Sequence, residues 1–271
     1  MNNQRKASPN TNASNPHNQD TPWQGEVARW YDSAVGAGGT DFQRDLIFPH
    51  VLRLLDLNKG DRLLDVACGQ GAFCRAADKL GASVTGVDAS SQLIQLARQR
   101  SVKRIRYLLG DARQLDALPA DSFDAVACIL AIQNIDPIEP VFAGCSRLLR
   151  PGGQMVVVMN HPSFRIPRQS GWGWDEERKL QYRWIDHYLS PSKIPIQIHP
   201  GSAPGVVAWT FHRPLQDYVA AMVNGSLLIT ALEEWPSHKA SQPGPRARAE
   251  NRARKEIPMF LAVRAVKTRS P

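Results

Sequence analysis

The sequence predicts an α/β fold built on a doubly wound parallel sheet. Three observations predict it. An apolar strand, Leu63-Leu64-Asp65-Val66, runs into a small-residue turn carrying Gly69 and Gly71, and then into a helix start. Strand-length apolar runs alternate with amphipathic stretches through residues 62–159. The run at 122–129 is apolar almost throughout, as a strand covered on both faces must be.

The chain has 271 residues, 42% hydrophobic and 21% charged. That suits one large α/β domain or two small ones, with ample length for a core. Residues 1–22 are rich in Asn, Ser, Thr, Pro and Gln and nearly free of large apolar side chains. They bury too little surface to offset ordering entropy, so a disordered tail is expected. A single domain is expected from residue 23 to 271.

Residues 24–32 predict a short helix with Val27, Trp30 and Tyr31 as its apolar contacts. A glycine-rich link at 36–39 follows. Residues 41–57 show helical apolar spacing, with Pro49 predicting a kink or break. After the first strand and its turn, residues 72–80 predict a helix capped by Gly81. Residues 83–87 predict a second strand ending at Asp88, and 90–101 a helix capped by a serine. Strands are expected at 105–109, 122–129 and 154–159, with a helix at 136–149 and a turn at 150–153. The alternation then stops. Residues 161–205 are too long for an ordinary connection and are rich in Pro, Trp and charge, which predicts a functional insert or lid. A strand at 206–212, a helix at 214–223 and strands at 226–234 and 259–267 complete the pattern. A basic segment with helical potential begins at Pro245.

A glycine turn after a first strand fits several nucleotide ligands. Three details narrow the choice. Asp65 stands inside the motif, where a dinucleotide fingerprint has an apolar residue. The third glycine of that fingerprint is absent; Cys74 follows instead. Acids then recur at strand ends, Asp88 after the second strand and Asp111 after the third. The first suits a ribose diol. The pair Asp111-Ala112 suits an adenine edge.

The pieces LLDVACGQG, VTGVDAS, LLGDARQL, DSFDAVACILAIQNI and LLRPGGQMVVV occur in this order over about 63–158. As an ordered set they resemble the class I S-adenosylmethionine (SAM)-dependent methyltransferases. The resemblance implies a seven-stranded, Rossmann-like, mostly parallel sheet with a reversed last strand at 259–267. It also implies SAM as cofactor. Asp65, Ala67 and Gly69, with Gly71 in the same turn, would hold the methionine moiety. Asp88 would hold the ribose, Asp111 and Ala112 the adenine, and Ala89 would also belong to the cofactor site. Ile129 would lie near the reacting centre. The chain looks most like the small-molecule group that includes ubiquinone- and menaquinone-biosynthesis enzymes. Where that group often has a Leu-His-His-like segment, this chain reads Ile132-Gln133-Asn134.

The acceptor is expected to be a small molecule, and methyl transfer to O, N or C remains open. Neither Asn-Pro-Pro-Tyr nor Asp-Pro-Pro-Tyr follows the fourth strand, and Cys128 lacks the adjoining proline of a cytosine-C5 nucleophile. His161, just after the fifth strand, is a candidate general base or a turn histidine. In the insert, Arg165, Arg168 and Arg183 lie among Trp172, Trp174 and other aromatics, which suits a planar or anionic acceptor. Tyr31 is a candidate to line or close the same pocket.

The net charge of +8 is spread along the chain except at Arg246, Arg248, Arg252, Arg254 and Lys255. A solvated helix face is expected there, so nucleic acid is not an expected partner. Two alternatives remain open: an RNA or protein methyltransferase using residues 246–255, and a non-catalytic SAM-binding partner protein. The four cysteines show no CxxC pair or zinc spacing, so no metal is expected. Reduced thiols, no apolar run of spanning length and no signal-like start predict a cytoplasmic protein.

Overall fold

A computed structural model describes residues 21–196 and 207–268. Residues 1–20 of the expected tail lie outside the described residues, as do residues 197–205 of the expected insert.

The described chain opens with α1 (Gly25–Val35). A helical stretch from residue 41 passes through a π-helical segment, Gln43–Ile47, into α2 (Phe48–Leu55). The break expected at Pro49 is therefore a change of helical register, with the Phe48 N–H donating to Gln43 O. Pro49 lies in the first turn of α2, where its missing N–H costs little. Then come β1 (Arg62–Val66), α3 (Ala72–Lys79), β2 (Ser83–Asp88), α4 (Ser91–Arg100), β3 (Arg106–Leu109) and β4 (Phe123–Ile129). Gly81 ends α3 at φ 88°, and the Ser90 hydroxyl caps α4 by accepting the Leu93 N–H at 3.2 Å.

Next are α5 (Glu139–Leu148) and β5 (Leu149–Asn160). α5 starts later than expected, with Pro140 in its first turn. The turn expected at 150–153 is an irregularity inside β5, because Leu149 pairs with Phe123 and Gln154 with Ala125. The insert holds a hairpin, β6 (Ser170–Asp175) with β7 (Leu180–Ile185). β8 (Ser192–Ile196) pairs with β9 (Ala208–His212), so the inserted structure extends past 205 and takes up the strand expected at 206–212. The chain ends with α6 (Leu215–Asn224), β10 (Leu227–Trp235), α7 (Ala247–Glu256) and β11 (Phe260–Lys267).

Seven strands form one sheet in the order β10-β11-β5-β4-β1-β2-β3. β11 runs antiparallel to both of its neighbours, and the other pairs are parallel. Side chains alternate across the central strands. Leu64, Val126 and Val157 pack on one face with Phe142, Leu148 and Tyr218. Leu63, Ala127 and Val156 pack on the other with Val51, Leu55 and Phe73. Burying each such leucine or phenylalanine contributes about 1.5–3 kcal/mol. Among the described residues, no helix is long and apolar enough to cross a membrane.

Candidate active site

The site begins where the strand order reverses. β1 has β2 on one side and β4 on the other, so a crevice opens at their carboxyl ends. The turn after β1 fills its floor. Gly71 lies at φ 81°, and a Cβ there would stand 2.3 Å from the Tyr107 hydroxyl. Ser101 Oγ holds that hydroxyl at 2.9 Å. Only glycine satisfies both the conformation and the space. α3 follows at once with no side-chain cap, so free N–H groups and a positive dipole end face the crevice.

Asp65 is 2% exposed, and its side-chain hydrogen bond comes from the Cys74 thiol at 3.2 Å. Burial pushes its carboxyl up to about 7; the thiol opposes this and the Asp88 charge adds to it. An acid so poorly solvated suits a cationic partner. Asp88 accepts the Gly69 N–H at Oδ2 and the Ser90 N–H at Oδ1, both at 2.8 Å. Burial raises its pKa, and those two bonds hold it down in part. Each oxygen keeps a lone pair for a further donor. The Gly110 N–H reaches Asp88 O at 3.0 Å and joins the end of β3 to that of β2. Asp111 follows, half-buried and bonded by Arg113 Nη2 at 2.6 Å. Burial works against its ionisation, but the Arg113 bonds outweigh it and lower the pKa. Ala112 beside it is buried in the core.

Tyr31 crosses from α1 onto the turn. Its hydroxyl would meet a Cβ on Gly69 at 3.2 Å. Burial, then the charges of Asp88 and Asp65, push its pKa far up, while a hydrogen bond with Gln43 opposes them. Tyr31, Gln43, Asp65, Ala67, Gln70 and Ile129 surround a cavity of about 20 Å³. α1 is held down from three sides. Arg100 grips Asp32 at 2.5 and 2.9 Å, Gln24 Nε2 donates to Ala89 O at 3.3 Å, and Gln70 Nε2 donates to Gly36 O at 2.7 Å.

A second group lies beyond β5. His161 is 3% exposed. Its Nε2 meets Glu234 Oε1 at 2.7 Å and its Nδ1 accepts the Ser163 N–H at 3.2 Å. The tautomer is therefore Nε2–H, and neither nitrogen is free to take a proton. Burial lowers its pKa, opposed by Glu234. To act as a base, His161 would have to release the Ser163 N–H from Nδ1. Arg165 and Arg183 stand over Trp172 at 5.8 and 5.2 Å, and Arg246 over Trp174 at 4.5 Å. Arg168 stands apart, exposed at φ 64°, with no side-chain bond among the described residues. The basic segment departs from a wholly solvated face. Arg246, though exposed, stands over Trp174, and Arg254 is half-buried beside the insert; Arg248, Arg252 and Lys255 are exposed.

Sequence reasoning missed Gln43, Gln70 and the Cys74–Asp65 bond. A signal for Gln43 was present. Thr40 and Gln43 form a capping box, with Thr40 N–H to Gln43 Oε1 at 2.8 Å and Gln43 N–H to Thr40 Oγ1 at 3.2 Å. The cysteines are all free, and burial pushes the Cys74 thiol up to about 11.

A seven-stranded sheet with one reversed strand, and an acid-lined glycine turn at its switch point, define a Rossmann-like nucleoside-binding protein of the methyltransferase type. Residues 64–157 match the family model described as "Methyltransferase domain". The chain is 35% identical over 112 residues to a demethylmenaquinone methyltransferase of Tropheryma whipplei, covering 41% of this chain and 46% of that protein. It is 31% identical over 130 residues to a ubiquinone biosynthesis O-methyltransferase of Xanthomonas oryzae pv. oryzae, covering 47% and 54%. The chain thus spans about half the length of these curated relatives. A solved SAM-dependent methyltransferase from Mesorhizobium loti superposes with a TM-score of 0.66 at 29% identity, covering 85% of this chain and all of that one. Residues 64–157 thus match a methyltransferase domain, and the fold as a whole is similar to that of solved SAM-dependent methyltransferases.

Proposed function

We propose that this protein transfers a methyl group from SAM to a small-molecule acceptor. The observation that carries the reading is the convergence of Asp65, Asp88 and the uncapped start of α3 at the sheet's switch point. Asp65 receives the amino group of the cofactor, and Ala67, Gly69 and Gly71 let its chain approach the backbone. Asp88 and Ala89 hold the ribose, Asp111 and Ala112 the adenine, and Ile129 borders the reacting end. These residues fit the group: a buried acid lacks a strong donor, and a carboxylate is fixed with lone pairs to spare. Bound there, SAM supplies an electrophilic methyl on a sulfonium. The protein's part is to align the acceptor and exclude water.

On this reading the acceptor binds against the insert, with Tyr31, Arg165, Arg168, Trp172 and Trp174 as its candidate contacts. His161 acts as a positioning residue, tying the start of the insert to Glu234 on β10. The family match ends at residue 157, before the insert, so the quinones named for the relatives do not transfer to this chain. Isothermal titration with SAM tests the cofactor. Labelled SAM incubated with a metabolite extract, with labelled products read by mass spectrometry, tests the acceptor. No SAM binding by folded protein, or label only on protein or RNA, would sink this reading.

A further inference from the structure

Beyond β5 the structure gathers three arginines that form no ion pair among the described residues. Arg165 follows His161, Arg183 lies on β7 and Arg254 on α7. Arg165 and Arg183 share the Trp172 ring, at 5.8 and 5.2 Å. Arg183 and Arg254 stand close enough to Arg165 to add to the fall in its pKa that burial causes. Two of the three are aimed by neutral partners. Arg183 donates to Phe164 O at 2.7 Å and Ser170 Oγ at 2.9 Å, and Arg254 to Ser241 Oγ at 3.0 Å. Among the described residues none of the three forms an ion pair, and Arg165 Nε is buried without a hydrogen-bond partner. Arg246, at the start of α7, is the contrast: it pairs with Glu176 at 2.9 Å. A cavity of about 580 Å³ opens beside Arg254, lined also by Ser241, Pro243, Arg246 and Glu250.

Like charges gathered at a half-buried indole repel one another unless an anion joins them. Guanidinium forks match the paired oxygens of a carboxylate or phosphate. The location is apt. β5 is parallel to β4, and β4 to β1, so the end of β5 lies at the same sheet edge as the cofactor turn. The Arg165 N–H bonds to His161 O at 2.8 Å, which anchors the cluster to that edge.

We propose that Arg165, Arg183 and Arg254 form a subsite for an anionic group, a carboxylate or a phosphate, carried by the methyl acceptor. The assignment to the acceptor rests on the proposed function; the anion site itself does not. The test is isothermal titration of the full chain, at low salt, with inorganic phosphate and separately with benzoate. Saturable binding of at least one is expected, and the tighter probe names the group. Arg254→Gln should weaken that binding about tenfold or more. Arg252→Gln removes the same charge from an exposed position on the same helix and should leave the binding unchanged. Both variants should bind SAM as the wild type does. Binding of neither probe, or equal weakening by the two substitutions, would overturn the subsite. Failure of the wild type to bind SAM would instead overturn the proposed function and leave the anion result standing.

Discussion

Asp88 accepts the backbone N–H of Gly69 at 2.8 Å, so the end of β2 holds the turn that follows β1. One carboxylate therefore shapes the crevice and, on the proposed reading, also holds the ribose. Asp88→Asn removes the charge and sets an amide donor against a backbone donor. A lost bond to a charged group costs about 1.5–3 kcal/mol, roughly tenfold to a hundredfold in affinity. SAM titration should read that loss, and an affinity within about twofold of wild type would remove Asp88 from the site.

Asp65 predicts a pH dependence. Its folded pKa is raised from 3.8 to about 7, so the folded protein holds a proton that the unfolded chain has released. The contribution to stability is full below about pH 4 and is lost as pH rises through about 7. A cationic ligand favours the ionised acid. SAM affinity should therefore rise with pH up to about 7, and binding at pH 6 should release a proton. Titration in buffers of different ionisation enthalpy measures that proton. Asp65→Asn should abolish its release; a release that survives the substitution would point to another group.

Gly71→Ala should be strongly destabilising. The new Cβ meets the Tyr107 hydroxyl at 2.3 Å and the backbone stays at φ 81°. Strain of about 1–3 kcal/mol is expected, read as a lower denaturation midpoint. Tyr107→Phe removes the nearest clashing atom, so the double variant should lose less than the sum of the singles. Strict additivity would count against the contact.

The 20 Å³ beneath Tyr31, beside Asp65 and Ala67, holds about one water. On the proposed reading the methionine end of the cofactor takes that space, and α1 shifts to admit it. Among the described residues, the Arg100–Asp32 pair is the charged tether on α1. Asp32→Asn should speed SAM association several-fold, as a released tether raises the open population. Stopped-flow fluorescence of Trp23 and Trp30 would follow it. An unchanged on-rate would mean that α1 already opens freely.

His161 separates two roles. Its lowered folded pKa means that its neutral form carries the stability, which falls as pH drops below about 6.5. If it positions the insert, His161→Gln should cost about 1–3 kcal/mol through the loss of buried bonds, while kcat at saturating acceptor stays within a few-fold. A general base would instead lose about a hundredfold or more, together with the acid limb of the pH–rate profile.

The reading of the sheet from sequence reached β1 to β5 closely, because strand, turn and helix signals there are local. Gly71, Gly81 and Ser90 each act on neighbours within a few residues. Boundaries slipped where several bonds competed. The register of the helix around Pro49 depends on a Phe48–Gln43 bond, and the 150–153 turn lies within a strand because β4 pairs on both sides of it. The insert was legible as an interruption and β9 as a strand, but the β6–β7 hairpin and the pairing of β8 with β9 were not, since the choice of partner strand leaves no mark in the local sequence.

The cofactor turn was readable because it is contiguous: acid, small residues, glycines and helix start lie in one short stretch, and their chemistry follows from local backbone geometry. The packing of Tyr31 on Gly69, the thiol bond to Asp65, the engagement of both His161 nitrogens and the meeting of Arg254 with Arg165 were not readable. Those contacts join side chains from different elements, and their partners are chosen when the sheet twists and the insert folds over its edge. Residue order carries the first kind of information directly and the second only through packing.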